Sequence, residues 1–279
     1  MQNAGLDELQ LNWRYLAFDV HPDQLGPAIA GAQAMGFIGL NLTVPHKVLA
    51  VDLVDALDDS ARFWGAVNTI RFEGQRGAED WKSLQHFSQD SPERVRSQGF
   101  NTDADGLTRS LMDDLDFDPR GRRILLLGAG GAGRVAALKL ADSGAAALNL
   151  LNRTLSKSES LRDELAKRYP GTEVSLEIPR GSVDLVVNAT SLGLRSNDCL
   201  PLDPARYDIS RVTAVYDMIY RPAETPFLEW ARKSGCRTAN GLGMLLHQGT
   251  RALEIWSGLP SPTETMRHAL EENIYDPSR

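Results

Sequence analysis

An unbroken apolar run, Ile124-Leu-Leu-Leu127, stops at a glycine cluster and resumes at helical period as Val135-Ala-Ala-Leu-Lys-Leu140. A continuous run is what a strand covered on both faces requires. The pattern then predicts a helix from Gly131, a strand over 148–151, a helix over 161–168 and a strand over 183–188. A strand over 212–218 and a helix over 228–233 come next. Strand and helix in alternation predict a parallel, doubly wound sheet. A helix over 241–256 and an amphipathic helix over 263–273 end the chain.

The first third reads differently. Residues 13–20 alternate apolar and polar positions, as a strand does, and 25–35 carry a helical face. In the next strand Asn41 and Thr43 alternate with Leu40, Leu42 and Val44, so one side is polar, and Pro45 ends the pairing. A helix opens at Lys47 and runs to Leu57, and a strand over 65–70 comes after a small-residue turn. The polar stretch 73–97 carries little periodicity and is long for a connection, so it predicts a surface excursion. A helix over 107–115 comes after Asn101-Thr-Asp-Ala-Asp-Gly106. The fold class is therefore α/β with two domains: 1–106 joined by 241–279, and 107–240. The last helices return to the first domain and close a cleft.

Composition narrows the function. The chain has 279 residues, 42% of them hydrophobic and 24% charged, with a formal net charge of -7. That balance argues against a nonspecific nucleic-acid binder, which needs a basic surface. No apolar run approaches the roughly 20 residues that span a bilayer, and Met1 leads into polar residues without a signal-like segment, so the chain is expected in the cytoplasm. Cys199 and Cys236 form no metal-ligand spacing, and no metal is expected.

The glycine cluster carries the first chemistry. Gly128 can take backbone angles closed to other residues, Gly130 admits a pyrophosphate, and Gly133 lets helix and strand touch. The helix N-terminus then offers unpaired N–H groups to phosphate. After the second strand a fold of this kind that takes NAD has an acidic residue. Here the chain has Asn152-Arg-Thr154, with Lys157 a turn later. A carboxylate repels a 2′-phosphate, whereas a guanidinium holds one with two charge-assisted hydrogen bonds, so NADP is expected. Asn188-Ala-Thr-Ser-Leu-Gly193 lies past a strand C-terminus, where ligands bind in such sheets. In the other domain, Lys47 and Asp103 can act as an acid/base pair, the carboxylate orienting the ammonium. Taken alone, Lys47 reads first as a solvated lysine and Asp103 first as a helix cap.

Seven segments occur in one order: Asn41-Leu-Thr-Val-Pro-His-Lys47, Gly65-Ala-Val-Asn-Thr69, Asn101-Thr-Asp103, Gly128-Ala-Gly-Gly-Ala-Gly133, Asn152-Arg-Thr154, Asn188-Ala-Thr-Ser191, and Gly241-Leu-Gly-Met-Leu245 with Gln248. Together they resemble the shikimate dehydrogenase family over nearly the whole chain. The resemblance implies NADP-dependent reduction of 3-dehydroshikimate to shikimate in chorismate biosynthesis. It implies Lys47 and Asp103 as the catalytic pair, and Thr43, Asn68, Asp103, Tyr220 and Gln248 as substrate contacts. It implies Gly128, Gly130, Gly131, Ala132, Gly133, Asn152, Arg153, Thr154, Lys157, Asn188, Thr190, Ser191, Met218, Gly241 and Met244 as cofactor contacts, with Gly243 beside Met244 near the nicotinamide. A small-molecule substrate is the expected partner, with neither nucleic acid nor membrane, and the enzyme a monomer or homodimer. A quinate/shikimate dehydrogenase using NAD and a catalytically weak nucleotide-binding homologue are the alternatives. The family usually begins with a strand and a Ser-x-Ser segment that holds the substrate carboxylate. Met1-Gln-Asn3 resembles the residues just after that segment, so weak substrate binding is expected of these 279 residues.

Overall fold

A computed structural model of the chain describes residues 1–87, 91–195 and 197–276. It divides into two compact units, Met1–Asp103 with Gln248–Asn273 and Ala104–His247 with Ile274–Arg279.

In the first unit the elements are α1 (Gln2–Glu8), α2 (Leu25–Ala34), β1 (Gly39–Asn41), α3 (His46–Leu49), β2 (Ala56–Leu57), α4 (Asp59–Trp64), β3 (Thr69–Gln75), β4 (Lys82–Ser83) and β5 (Arg94–Phe100). The sheet order is β1-β3-β5-β2, with β4 also paired to β3. β3 runs antiparallel to both β1 and β5, and β2 runs parallel to β5. One apolar cluster gathers Leu25 and Ile29 of α2 with Ala61, Val67, Ile70 and Phe72. Full burial of side chains this size contributes about 1.5–3 kcal/mol each. A second cluster joins Trp256 and Ile255 to Trp13, Tyr15, Ile38 and Phe100. Trp256 Nε1 donates to the Ile70 carbonyl at 2.9 Å. A Cβ on Gly39 would lie 2.1 Å from that nitrogen, so only glycine fits there.

Four expectations for this unit need correction. Residues 13–20 form no strand. Their alternation arises because Trp13 and Tyr15 pack on the Trp256 cluster, while the Tyr15 amide donates to the Asn3 side chain at 2.8 Å instead of a ladder. The helix read over 47–57 is only the one turn of α3, then a 3₁₀ turn at Ala50–Asp52, then β2. Asp55 breaks it: its carboxylate accepts from the Ser97 amide and hydroxyl, both at 2.7 Å, and draws the chain onto β5. The strand read over 65–70 starts only at Thr69, because Gly65 ends α4 in the left-handed region at φ 63° and the Val67 amide donates to Lys47 O at 2.7 Å.

The fourth correction concerns 73–97, of which 88–90 lie outside the described residues. Only its ends, 73–75 and 94–97, are paired strand, in register from Thr69 opposite Phe100 to Gln75 opposite Arg94; the described residues between them form β4 and a 3₁₀ turn at Leu84–Phe87. Its periodicity is hidden because the buried position is Glu73, 1% exposed. Arg71 and Arg96 both pair with that carboxylate, and the Arg96 guanidinium lies over the Trp81 ring. A buried carboxylate is tolerated when it is paired in this way.

The second unit keeps closely to its pattern. α5 (Asp103–Leu115) precedes β6 (Arg123–Leu127), α6 (Gly131–Asp142), β7 (Ala147–Leu151), α7 (Leu155–Arg168), β8 (Glu173–Ser175), β9 (Val183–Asn188), β10 (Val212–Asp217), α8 (Pro226–Lys233) and β11 (Arg237–Asn240). α9 (Leu242–Ser257) begins in this unit and from Gln248 belongs to the first, as does α10 (Thr263–Tyr275) up to Asn273. The sheet order is β11-β10-β9-β6-β7-β8, with every neighbouring pair parallel. Counted from β6 this is the order 3-2-1-4-5-6 of a dinucleotide-binding sheet, with its switch point between β6 and β9. Ile124, Leu125 and Leu126 are wholly buried, as a strand covered on both faces demands. No helix among the described residues is long and apolar enough to cross a membrane.

Candidate active site

Three chain segments of the first unit converge on Asn68. Its amide donates to Phe100 O at the end of β5, and its carbonyl accepts from the Leu42 amide just past β1, at 3.0 and 2.8 Å. Its side chain is 2% exposed. The Nδ2 donates to Asp103 Oδ1 at 2.8 Å and to Thr102 Oγ1 at 3.0 Å, with Gln248 Oε1 farther off at 3.5 Å. The Oδ1 accepts from the Thr102 amide at 2.9 Å.

Lys47 enters this cluster from α3. Its Nζ donates to both Asp103 carboxylate oxygens, at 2.8 and 3.1 Å. Asp103 is the first residue of α5, yet its side chain bonds Lys47 and Asn68, so it does more than cap a helix. The Asp103 amide is held by Asn101 Oδ1 at 3.1 Å. The carboxylate is thus gripped from two sides, and the ammonium it orients retains some exposure, 23% for the side chain. Thr43 is exposed and its hydroxyl makes no bond among the described residues. Lys47, Asp103, Asn68 and Gln248 therefore form one group, with Thr43 four residues before the lysine. The sequence quoted Asn101 and Thr102 only as part of a motif, and here they are its scaffold.

In the second unit the glycine-rich turn joins β6 to α6. Gly128 has φ 104°, and a Cβ there would lie 2.9 Å from Ala189 O. A Cβ on Gly133 would lie 2.1 Å from Gly128 O. Gly130 and Gly131 differ: a Cβ on either meets nothing within 4 Å. Gly130, Gly131 and Ala132 are exposed where α6 begins, which leaves room and N–H donors for a phosphate. Asn152 Oδ1 accepts from the Ala129 amide at 3.0 Å, and its Nδ2 donates to Thr154 O at 2.8 Å, tying the turn to the end of β7. Arg153 between them is exposed and makes no hydrogen bond or ion pair among the described residues. Lys157 lines a cavity of about 340 Å³ with Ala129, Arg134 and Ser160. An open cradle with an uncommitted guanidinium after it fits a dinucleotide carrying a 2′-phosphate.

The ends of β9, β10 and β11 meet in the same unit. Asn188 is wholly buried, and its side chain serves the loop: Nδ2 donates to Leu192 O and to Asp217 Oδ1, while Oδ1 accepts from the Thr190 hydroxyl at 2.7 Å. Ser191 is exposed. Asp217 also accepts from the Thr225 hydroxyl at 2.7 Å and the Ile219 amide at 3.1 Å. Burial pushes its carboxyl up to about 6, against the pull of those three donors. Sequence reasoning passed over Asp217, though an acid ending a buried apolar strand was a signal. Met218 and Tyr220 are half-buried, and a Cβ on Gly241 would lie 2.2 Å from Met218 O. Gly243 sits under Ser110 and Asp114 of α5, where a Cβ would come within 2.5 and 2.1 Å, so it packs helix on helix. Met244 beside it is half-buried. Among the described residues no group of three His, Cys, Asp or Glu could hold a metal.

Comparison with known proteins matches three family models to the chain. They are the shikimate dehydrogenase substrate binding domain over 1–70, shikimate / quinate 5-dehydrogenase over 111–192, and the shikimate 5'-dehydrogenase C-terminal domain over 241–271. The shikimate dehydrogenase (NADP(+)) of Methanopyrus kandleri is 38% identical over 283 residues, covering 98% of this chain and 90% of its own. A solved shikimate dehydrogenase in complex with NADP+ is 32% identical with a TM-score of 0.79, covering 98% of this chain and 89% of its own. A ligand-free 5-ketofructose reductase of a Gluconobacter strain is 33% identical, also with a TM-score of 0.79, covering 98% and 92%.

Proposed function

Because the chain belongs to the shikimate dehydrogenase family, we propose that Lys47 and Asp103 are its catalytic pair. The enzyme catalyses the reversible, NADP-dependent reduction of 3-dehydroshikimate to shikimate. The observation that supports these roles is the ammonium–carboxylate contact at 2.8 Å, fixed by the buried amide of Asn68. The first unit takes the substrate and the second takes the cofactor. The proposal also takes the enzyme to be cytoplasmic, as a monomer or homodimer.

Bound NADPH supplies the hydride that reduces the carbonyl carbon. Lys47 Nζ donates its proton to the carbonyl oxygen as negative charge develops there. Asp103 holds Nζ in line and favours return of the ammonium when the amine takes a proton back. Asn68 occupies one Asp103 oxygen, so the carboxylate does not turn away. Thr43, Asn68 and Gln248 bond substrate hydroxyls, and Tyr220 serves the substrate carboxylate. A site that bonds each hydroxyl rejects analogues lacking one. The exposed N–H groups of Gly130, Gly131 and Ala132 take the pyrophosphate, with Asn152, Thr154 and Ser191 around it. Arg153 and Lys157 take the 2′-phosphate.

The test is oxidation of NADPH by 3-dehydroshikimate, monitored by absorbance. No turnover with this substrate sinks the proposal. The likeness to a 5-ketofructose reductase favours one second reading, a ketone-sugar reductase, so 5-ketofructose and 3-dehydroquinate belong in the same assay. Arg153→Ala raises KM for NADPH about ten- to hundredfold, the worth of one charge-assisted bond at an exposed site, and leaves KM for NADH within about twofold. Equal losses with both cofactors remove Arg153 from 2′-phosphate recognition.

A further inference from the structure

Tyr275 is the last residue of α10 and is half-buried. Its hydroxyl donates to Tyr220 O at 2.9 Å and accepts from Asn240 Nδ2 at 2.9 Å. Asn240 extends the link. Its Nδ2 also donates to Ala223 O at 2.8 Å, and its Oδ1 accepts from the Leu242 amide at 3.0 Å, at the start of α9. One phenol and one amide thus tie the segment after β10 to the segment that opens α9. The first carries Tyr220 and the second carries Gly241 and Met244.

We propose that Tyr275, through Asn240, is a positioning residue that sets the place of Tyr220 against the start of α9. The inference rests on the reading of Tyr220 as a substrate contact. The base of the 218–224 segment is already pinned, by Asp217 on the Thr225 hydroxyl. Its outer residues, Arg221, Pro222, Ala223 and Glu224, are exposed and form neither helix nor strand; there Ala223 O is held by Asn240 and Glu224 by Arg232 of α8, each at 2.8 Å. A cavity of about 720 Å³ lies beside it, lined by Leu194, Arg221 and Ile274 among others, so no packed side chain bars an outward shift. The Tyr275 hydroxyl is the tie at Tyr220 itself. Removing it from a partly exposed site lets water satisfy the freed groups, so stability barely changes while position loosens. Small misplacement of a binding group costs binding of the group it holds, far from the chemistry.

Tyr275→Phe keeps the ring and deletes the tie. The expected result is a rise in KM for shikimate of about five- to tenfold, as loss of one bond implies, with KM for NADP+ and kcat within about twofold and an unchanged melting temperature. Asn240→Asp keeps the helix-cap acceptor but turns the amide donors into an acceptor that competes for the Tyr275 hydroxyl. It loses the Ala223 tie as well, so its rise is at least as large, and the double variant is no worse than Asn240→Asp alone, because the Tyr275 link is already broken there. Hydrogen exchange supplies a readout independent of turnover: amides of 218–224 exchange faster in Tyr275→Phe, while the β6 and β9 amides do not. A KM for shikimate that matches wild type, or losses that simply track melting temperature, overturns the proposal. If wild type itself does not turn over shikimate, the reading of the reaction fails, and unchanged exchange in 218–224 still overturns the tie.

Discussion

Lys47→Ala lowers kcat by about 10²- to 10⁴-fold, the usual worth of a positioned general acid, and leaves KM for 3-dehydroshikimate within about threefold. The split arises from when the ammonium acts. In the ground state the substrate oxygen carries little charge, so Nζ contributes little that neighbouring hydroxyl contacts do not already give. As hydride arrives the oxygen becomes an alkoxide, and only then does a proton at that point matter. The variant should remain folded. Asn68 still donates to Asp103 Oδ1, and the Asp103 backbone keeps its bond to Asn101. Steady-state kinetics in the 3-dehydroshikimate-reducing direction decide the matter, and a kcat within about twofold of wild type removes Lys47 from proton transfer. An equal loss in Asp103→Asn with an intact fold supports the pair acting as a unit.

Between about pH 4.5 and about pH 7.5, wild type loses about 2 kcal/mol of stability relative to Asp217→Asn. The carboxyl of Asp217 titrates near 6 in the folded chain against an ordinary 3.8, because burial disfavours its charge. A raised carboxyl favours the folded state while protonated. That contribution is complete below about 3.8 and is lost as pH rises through about 6. The asparagine does not titrate, so the difference between the two proteins isolates this one group from the other carboxylates. Its amide can donate to the Thr225 hydroxyl, which lies 2.7 Å from Asp217 Oδ2. Urea unfolding at the two pH values measures the difference. A constant gap between the proteins shows that the carboxyl is ionised throughout.

Legibility tracked the physics of each segment. The second unit was open to sequence reading because strands covered on both faces are uniformly apolar and glycine turns are chemically distinct. β6, β7, β9 and β10 appear within one or two residues of where the pattern puts them. β8 and β11 were not seen, being three and four residues without an apolar run. In the first unit the periodicity misled twice for opposite reasons. Trp13 and Tyr15 alternate as a strand would because two rings pack on one side. The β3–β5 pair did not alternate because Glu73 holds an interior position under two arginines. The Lys47–Asp103 contact joins residues 56 apart in sequence. Spacing alone left it open, and only the ordered set of motifs pointed to it. Asp217, Asn240 and Tyr275 escaped because hydrogen-bond partners far apart in sequence leave no periodic trace.

The turn after β6 separates two tasks that a cofactor-swapping effort would want kept apart. The proposed roles give grip on the diphosphate to main-chain N–H groups at the open positions Gly130 and Gly131, seated on the tight contacts at Gly128 and Gly133. They give choice between the two nicotinamide dinucleotides to Arg153, an exposed group on which no other described residue leans, and to Lys157. On that reading, redesign rewrites the preference at these two positions without disturbing the scaffold beneath.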